Sequence, residues 1–274
     1  MASTDKTKQA VIRNLYEDSC NHSTKNKEVY MAQEHTFASP GPAGLAALAV
    51  ACFGFAPVFL GLIDPSGLPL LAAWLIGGFV VQIVVAIMEL KDHNITGGNV
   101  FLFFCAFFML ASAISAFAKW YMISFMFGPK AAKAALDAAA AVAGIKPDML
   151  TPDQVKAAMA GVPAAVGAMM QKAVYIEGWM WMAGASFLTV MTPAYARGSS
   201  LFFFNVVLVD VILWLIVGAD TGWFTIGSVK MTKTIIGYAL IAVGWIGIYY
   251  AGAICCNTAY GKPVFPVPGP LIKP

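Results

Sequence analysis

Six apolar runs, each long enough to cross a lipid bilayer, dominate this sequence. They cover residues 42–63, 69–90, 98–118, 174–192, 200–219 and 234–256. A run of about 18 or more residues with few charges is typical of a transmembrane helix. Charged residues make up only 11% of the chain, whereas a soluble domain carries roughly 25%. The sequence therefore excludes a soluble globule and predicts an all-α polytopic membrane protein with six transmembrane helices.

The apolar runs divide the chain into five parts. Residues 1–38 form a polar tail, residues 39–128 hold the first three spans, residues 129–173 form an insert, residues 174–256 hold the last three spans, and residues 257–274 form a proline-rich tail. The fourth span is the least regular, because Glu177 and Thr189 interrupt it. The N-terminal tail lacks the apolar stretch of a cleavable signal peptide, so we expect none. The C-terminal tail is predicted to be extended.

The insert at 129–173 is rich in alanine with spaced lysines, which makes it too polar to cross the bilayer. Gly144 fits the end of a helix, with Pro147 shortly after it. The segment that starts at Thr151 has the pattern of a capping box, with Pro152 in the first helical position and Gln154 in the third. These signals predict a helical hairpin outside the membrane.

An even number of spans places both termini on the same side of the membrane. With that side inside, the inner segments carry nine lysines and arginines and the outer loops carry seven, five of them in the long insert. Basic residues concentrate on the cytoplasmic side of short loops. We therefore expect cytoplasmic termini and a multi-pass protein of the plasma or inner membrane.

Several function classes are excluded by composition. The net charge of +3 is too small and too scattered for a nucleic-acid-binding protein. The histidines are His22, His35 and His93, none deep in a span, so two histidines cannot hold a haem inside the bilayer. The sequence shows no phosphate-cradling motif and no Ser/His/Asp set. We expect no cofactor, no metal and no enzymatic activity, which leaves a channel, a secondary transporter or a structural membrane protein.

Five polar side chains interrupt the apolar spans, and transport predicts such groups. Gln82 and Glu89 are seven residues apart and share a helix face, while Asn99, Asn205 and Asp210 lie in later spans. Glu89 and Asn99 lie near span ends, where hydration explains them equally well. Gln82 and Asn205 suit interhelical hydrogen bonds or a substrate pathway. Asp210 lies mid-span, where inserting an acidic side chain into the bilayer costs about 2.5–3.5 kcal/mol. As the two acidic side chains in this set, Asp210 and Glu89 are the candidate proton sites.

The first span begins with two prolines and two glycines in six residues. The segment reads Ser39-Pro40-Gly41-Pro42-Ala43-Gly44-Leu45. Such residues are ordinary helix-start signals, but they also give a narrow approach with little side-chain bulk. Unpaired amides at a helix start attract anions. Because proline has no amide hydrogen, the donors available to a carboxylate would be the amides at Gly41, Ala43, Gly44 and Leu45.

This segment resembles the N-P-A-P-L-G-L signature of the acetate uptake transporters, which are bacterial acetate/succinate–proton symporters and their fungal relatives. The second and third spans follow the family's pattern without a gap at Gly77, Gly78, Gln82, Glu89, Asn94, Gly97, Phe101 and Phe107. The sixth span matches at residues 244–247, and the C-terminal tail matches at residues 263–266. The resemblance covers about residues 38–126 and 174–268.

The chain departs from the family pattern at several positions. Ser39 replaces the signature asparagine, and Ala43 replaces its first leucine. The family's narrow apolar constriction, usually Phe, Tyr and Leu, falls here on Leu48, Phe104 and about Leu208. Asp210 falls at a position that is apolar in the family. The long N-terminal tail and the insert exceed the compact bacterial form.

The resemblance implies a homo-hexamer with a pore in each protomer, which takes up acetate and similar small monocarboxylates together with protons, and succinate in some members. The helix start and the polar side chains within the spans supply the candidate substrate-binding residues, which are Ser39, Gly41, Ala43, Gly44, Leu45, Gln82, Asn99 and Asn205. Two alternatives stay open: a passive channel for small neutral solutes or undissociated acid, and a structural or assembly protein. Because small residues mediate helix association in lipid, Gly247 and Ala251 are expected to form a face for contacts between copies.

Overall fold

The computed structural model describes residues 38–272, so the predictions for the N-terminal tail up to residue 37 lie outside the described residues. Within this range the chain folds into seven α-helices and no β-strand. The helices are α1 (Gly41–Phe59), α2 (Leu68–Lys91), α3 (Ile95–Ala143), α4 (Pro152–Met159), α5 (Val162–Met191), α6 (Ser200–Thr221) and α7 (Val229–Tyr260). Short 3-10 turns occur at Pro65–Gly67, Pro147–Met149 and Thr192–Arg197.

Five of the helices between residues 38 and 272 are long and apolar enough to cross a membrane: α1, α2, α3, α6 and α7. Helix α5 has 30 residues but falls short of their apolar character, which agrees with the interruption by Glu177 seen in the sequence. It nevertheless lies against α6, since a Cβ added to Gly178 would come within 2.7 Å of Thr221 Cγ2. The all-α polytopic fold is confirmed, and α5 occupies the place of the predicted fourth span.

The third span and the first arm of the insert form one continuous helix. Helix α3 has 49 residues and widens into π-helical turns at Cys105–Ala111 and Met122–Phe127. It ends at Ala143 and is capped by Gly144, whose φ of 69° is the left-handed conformation predicted for the helix end. The capping box of α4 is also confirmed, because the Gln154 amide donates to Thr151 Oγ1 and the Thr151 amide donates to Gln154 Oε1. The two arms of the hairpin therefore continue into the third and fourth spans, and the hairpin is not a separate unit.

Glycines let α7 lie close to α1. A Cβ on Gly244 would come within 2.7 Å of the Phe53 ring, and a Cβ on Gly237 within 2.6 Å of Leu60. A Cβ on Gly247 would lie 3.6 Å from the Leu45 carbonyl oxygen, and both Gly247 and Ala251 are buried. The expectation that Gly247 and Ala251 face another copy is wrong, because this small-residue face is already used inside the chain.

The C-terminal tail has no regular helix or strand across residues 262–272. The Asn257 side chain holds it: Oδ1 accepts the amides of Val264 and Phe265, and Nδ2 donates to the Phe265 carbonyl. Further along, the amides of Leu271 and Ile272 donate to the Ala196 carbonyl at 3.1 and 3.0 Å. The tail thus runs from the end of α7 to the turn that precedes α6.

Candidate functional site

Two cavities lie at opposite ends of the helix bundle. The first, of about 430 Å³, is lined on α1 and α2 by residues such as Leu45 and Gln82. The second, of about 700 Å³, is lined on the same two helices by Phe59 and Leu71, which lie toward the other ends of these helices. On α3, α5, α6 and α7 as well, the residues that line the first cavity lie toward one end of the helix and those that line the second lie toward the other. The two cavities are therefore aligned along the bundle axis.

The first cavity collects most of the residues that the sequence analysis singled out. Of the thirteen site predictions, eight line it: Ser39, Gly41, Leu45, Leu48, Gln82, Glu89, Phe104 and Asn205. The structure adds residues that the sequence analysis missed, chiefly Tyr195 and Arg197 in the turn after α5. No sequence motif marks that turn, because its residues reach the cavity only through the packing of α5 against α6.

Glu89 lies where α1 and α3 begin. Its Oε2 accepts a 2.5 Å hydrogen bond from Asn94, whose own Oδ1 caps α3 by accepting the Gly97 amide at 3.0 Å. A Cβ on Gly41 would lie 3.4 Å from Glu89 Oε1, so the carboxyl also lies beside the start of α1. Burial raises the pKa of Tyr195 and the negative charge of Glu89 adds to this rise. The Tyr195 phenol therefore stays protonated and able to donate a hydrogen bond into the cavity.

Two buried amides face the first cavity from opposite helices. Gln82 on α2 and Asn205 on α6 are each only 1% exposed. The Gln82 Nε2 donates to the Gly44 carbonyl at 3.4 Å. Among the described residues, Gln82 Oε1 and Asn205 Oδ1 have no hydrogen-bond partner. Buried polar atoms without a partner are rare, so both oxygens are free to accept a hydrogen bond from a ligand.

The predicted free amides at the start of α1 are not free. The amides of Ala43 and Gly44 both donate to the Pro40 carbonyl, at 3.0 and 3.4 Å, and the Gly41 amide faces Ser39 Oγ at 3.4 Å. Pro40 adopts a helical conformation, so its carbonyl already accepts bonds of the first helical turn. The prediction that these backbone donors await an anion is wrong for Ala43 and Gly44.

Five predicted site residues lie outside the first cavity. Ala43 is exposed on the outer side of α1, and Gly44 is buried against Phe101. The Asn99 side chain donates to the Ile95 carbonyl of its own helix at 2.7 Å. Leu208 packs against the hydrophobic cluster between α1, α6 and α7. The α6 residues that line the cavity beside Asn205 are instead Phe202, Val206 and Val209.

Asp210 points away from both cavities. Its two carboxyl oxygens lie 2.9 Å from Thr189 Oγ1 on α5. Thr189 Oγ1 also accepts a 3.0 Å hydrogen bond from Trp214 Nε1. Asp210 follows Val209, which lines the first cavity. One residue turns an α-helix by about 100°, which directs the Asp210 side chain to α5 instead.

An apolar partition separates the two cavities. Leu48 and Phe104 line the first cavity, while Phe55, Phe108 and Trp181 line the second. The Phe108 ring centroid lies 5.7 Å from that of Phe104, 5.4 Å from that of Phe55 and 6.0 Å from that of Trp181. The partition is therefore about one layer of aromatic side chains thick. The π-helical turn that begins at Cys105 carries Phe108, and such turns are frequent at functional sites.

The second cavity was not foreseen from the sequence. Its wall is mainly aromatic and aliphatic, but it contains Lys119, Glu177, Asp220 and Lys233. These charges come from four different helices, α3, α5, α6 and α7. The signal that could have found the cavity is Glu177, which interrupts the fourth apolar run.

Comparison with known proteins supports this architecture. No protein-family model matches the sequence, and no curated protein matches it significantly. The structure is similar to a solved structure described as that of the bacterial acetate channel SatP, with a TM-score of 0.58 and 16% identity. The similarity covers 85% of this chain and 99% of that chain. At this identity the likeness shows a shared fold, and it confirms the fold that the sequence resemblance implied.

Proposed function

We propose that this chain moves acetate and similar small monocarboxylates across a membrane, with one proton accompanying each anion. The observation that carries the proposal is the pair of aligned cavities separated by a single aromatic layer, in a fold shared with a protein described as an acetate channel. A hydrophobic constriction between two cavities is a common way to gate a small solute.

The first cavity suits a small acid that carries its proton. A protonated carboxyl group has one donor and one acceptor. The unpartnered side-chain oxygen of Gln82 or Asn205 can accept a hydrogen bond from the hydroxyl of the acid. The Tyr195 hydroxyl can donate a hydrogen bond to the carbonyl oxygen of the acid. A neutral acid also crosses the partition at Phe104 and Phe108 more readily, because desolvating an ion costs far more than desolvating a neutral group. A dicarboxylate such as succinate would lose two hydrated charges and is a poorer substrate.

Glu89 is our candidate for the group that relays the transported proton to the arriving anion. It is 7% exposed and lines the same cavity as the two amides. Asp210 is not given this role, because it lines neither cavity. In the proposed cycle the Glu89 carboxylate binds a proton from the entry side and passes it to the anion, which leaves Glu89 as the carboxylate. The neutral acid then passes Leu48 and Phe104 and releases its proton to water on the side of the second cavity.

A passive channel for undissociated acid is the second candidate function. The same unpartnered amide oxygens favour it, since they match the neutral acid whether or not uptake is coupled to a proton gradient. Accumulation separates the two functions: a symporter concentrates acetate against its gradient when the outside is acidic, and a channel only equilibrates it.

The assembly and the location are proposed on the sequence resemblance. We propose a homo-hexamer with a pore in each protomer, in the plasma or inner membrane, with cytoplasmic termini. Native mass spectrometry in mild detergent tests the hexamer, and labelling of single cysteines on either side of the membrane tests the orientation. A monomer in mild detergent would contradict the assembly.

Acetate flux into proteoliposomes tests the proposed function. The wild-type chain is compared with Asn205→Leu, which removes a cavity amide, and with the matched control Asn99→Leu, which removes an amide outside the cavity. We expect Asn205→Leu to lower acetate flux about tenfold, because a buried hydrogen bond to the ligand is worth about 1–1.5 kcal/mol, and Asn99→Leu to leave flux near wild type. Wild-type vesicles that pass acetate no faster than empty vesicles would refute the function.

A further inference from the structure

The second cavity contains a carboxylate that is held by two donors from one helix. Ser115 and Lys119 lie four residues apart on α3, so their side chains share one face. The Ser115 hydroxyl donates to Glu177 Oε1, and the Lys119 ammonium donates to Glu177 Oε2 at 2.5 Å. Each carboxylate oxygen of Glu177 thus has its own donor. Ser115 and Lys119 thus bind a carboxylate, and that carboxylate is the Glu177 side chain of the same chain.

The site is open to the cavity rather than sealed in the bundle. The side chains of Lys119 and Glu177 are 29% and 28% exposed, and both line the cavity together with Ser115. A lysine ammonium has three donors, so Lys119 can contact a second carboxylate while it still touches Glu177. A small carboxylate in this cavity therefore has a cation within its reach.

The charges of the second cavity cancel. Lys119 and Lys233 are positive, and Glu177 and Asp220 are negative. An isolated lysine would hold a passing anion firmly, whereas a lysine already engaged by a carboxylate holds it weakly. Weak binding permits release, which conduction requires.

We propose that Ser115 and Lys119 form a second binding site for a small carboxylate, and that Glu177 competes for the same donors and keeps this site weak. The proposal rests on the proposed function, since it assigns the site to the same transported acid. An acid that has crossed the aromatic partition ionises in the second cavity, shares Lys119 with Glu177, and leaves when Glu177 regains both donors.

Acetate titration of the purified full chain in detergent tests the proposal. Tryptophan fluorescence reports binding, because Trp181 lines this cavity, and the Trp181→Phe variant identifies its share of the signal. We expect Lys119→Met to weaken acetate binding at least about tenfold, the loss of one charged hydrogen bond. We expect Glu177→Gln to tighten binding about two- to fivefold, because the competing charge is gone. Lys172→Met is the matched control, since this exposed lysine on α5 lines neither cavity.

Opposite shifts in the two variants distinguish a ligand site from a structural ion pair. If Lys119 and Glu177 only brace α3 against α5, both substitutions weaken binding or neither changes it, and either result overturns the proposal. If Glu177→Gln does not yield folded protein, Ser115→Ala replaces it in the test. We expect Ser115→Ala to bind acetate about threefold more weakly with unchanged thermal stability. Unchanged acetate binding in this variant overturns the proposal. The binding assay does not depend on flux, so the proposed site can be refuted while the proposed transport function stands. The transport function is refuted separately, by wild-type vesicles that are impermeable to acetate.

Discussion

A methyl group added at Gly44 tests how tightly α1 must approach α2 and α3 beside the first cavity. The added Cβ would lie 2.5 and 2.8 Å from two atoms of the Phe101 ring and 3.0 Å from Val85 Cγ1. Distances this short force the Phe101 ring to move, and overpacking of this kind costs about 1–3 kcal/mol. Replacing glycine by alanine inside a helix returns about 1 kcal/mol. Gly44→Ala is therefore expected to change stability by about 0–2 kcal/mol in the unfavourable direction.

Gly252 provides the matched control, because it lies inside α7 with nothing within 4 Å of its added Cβ. Gly252→Ala should gain up to about 1 kcal/mol from helix propensity alone. The difference between the two variants isolates the steric cost, about 1–3 kcal/mol. Unfolding in detergent by titration with denaturant measures it.

Flux separates a local effect from a global one. Phe101 lines the first cavity, so its displacement should lower acetate flux in Gly44→Ala, and the larger Gly44→Leu should abolish flux while the protein still assembles. Phe101→Leu combined with Gly44→Ala should restore part of the stability, because it removes the ring that clashes. Equal stability and equal flux in Gly44→Ala and Gly252→Ala would refute the close approach.

Three further substitutions test other parts of the structure. Phe104→Ala removes part of the partition and should widen the range of transported acids toward lactate and succinate in competition assays; an unchanged substrate profile in a folded protein would count against the constriction. Asp210→Asn should retain proton-coupled uptake, because Asp210 contacts Thr189 and lines neither cavity; loss of accumulation with flux intact would make Asp210 the proton site. Asn257→Ala should release the C-terminal tail and speed hydrogen exchange at Val264 and Phe265, whose amides it accepts; unchanged exchange there would show that other contacts hold the tail.

Much of the first cavity could be predicted from polar residues in apolar runs. Gln82 and Asn205 stand out because a buried amide in an apolar helix needs a partner, and both line the cavity. Asn99 is also an amide in an apolar run, yet its side chain donates to the Ile95 carbonyl of its own helix. Residue type and spacing do not distinguish these outcomes, because the rotation of each helix depends on its neighbours.

The constriction also shows that the sequence does not determine the rotation of each helix. Leu48 and Phe104 lie at the partition, whereas Leu208 packs between helices and its neighbour Val209 faces the cavity. One residue turns a helix by about 100°, so an error of one position moves a side chain from the pore to the core. Gly247 illustrates the opposite case, in which the small-residue pattern was sound but its partner turned out to be α1 of the same chain.

The sequence by itself determined the membrane fold, the number of apolar runs and the ends of the insert helices, because hydrophobicity, helix caps and turn residues act over a few residues. The tertiary structure decided which faces of those helices meet. It placed Glu89 between the starts of α1 and α3, aligned the two cavities, and brought Ser115 and Lys119 to Glu177 across about 60 residues of chain. Such contacts depend on the packing of all six long helices at once, and no local pattern encodes them.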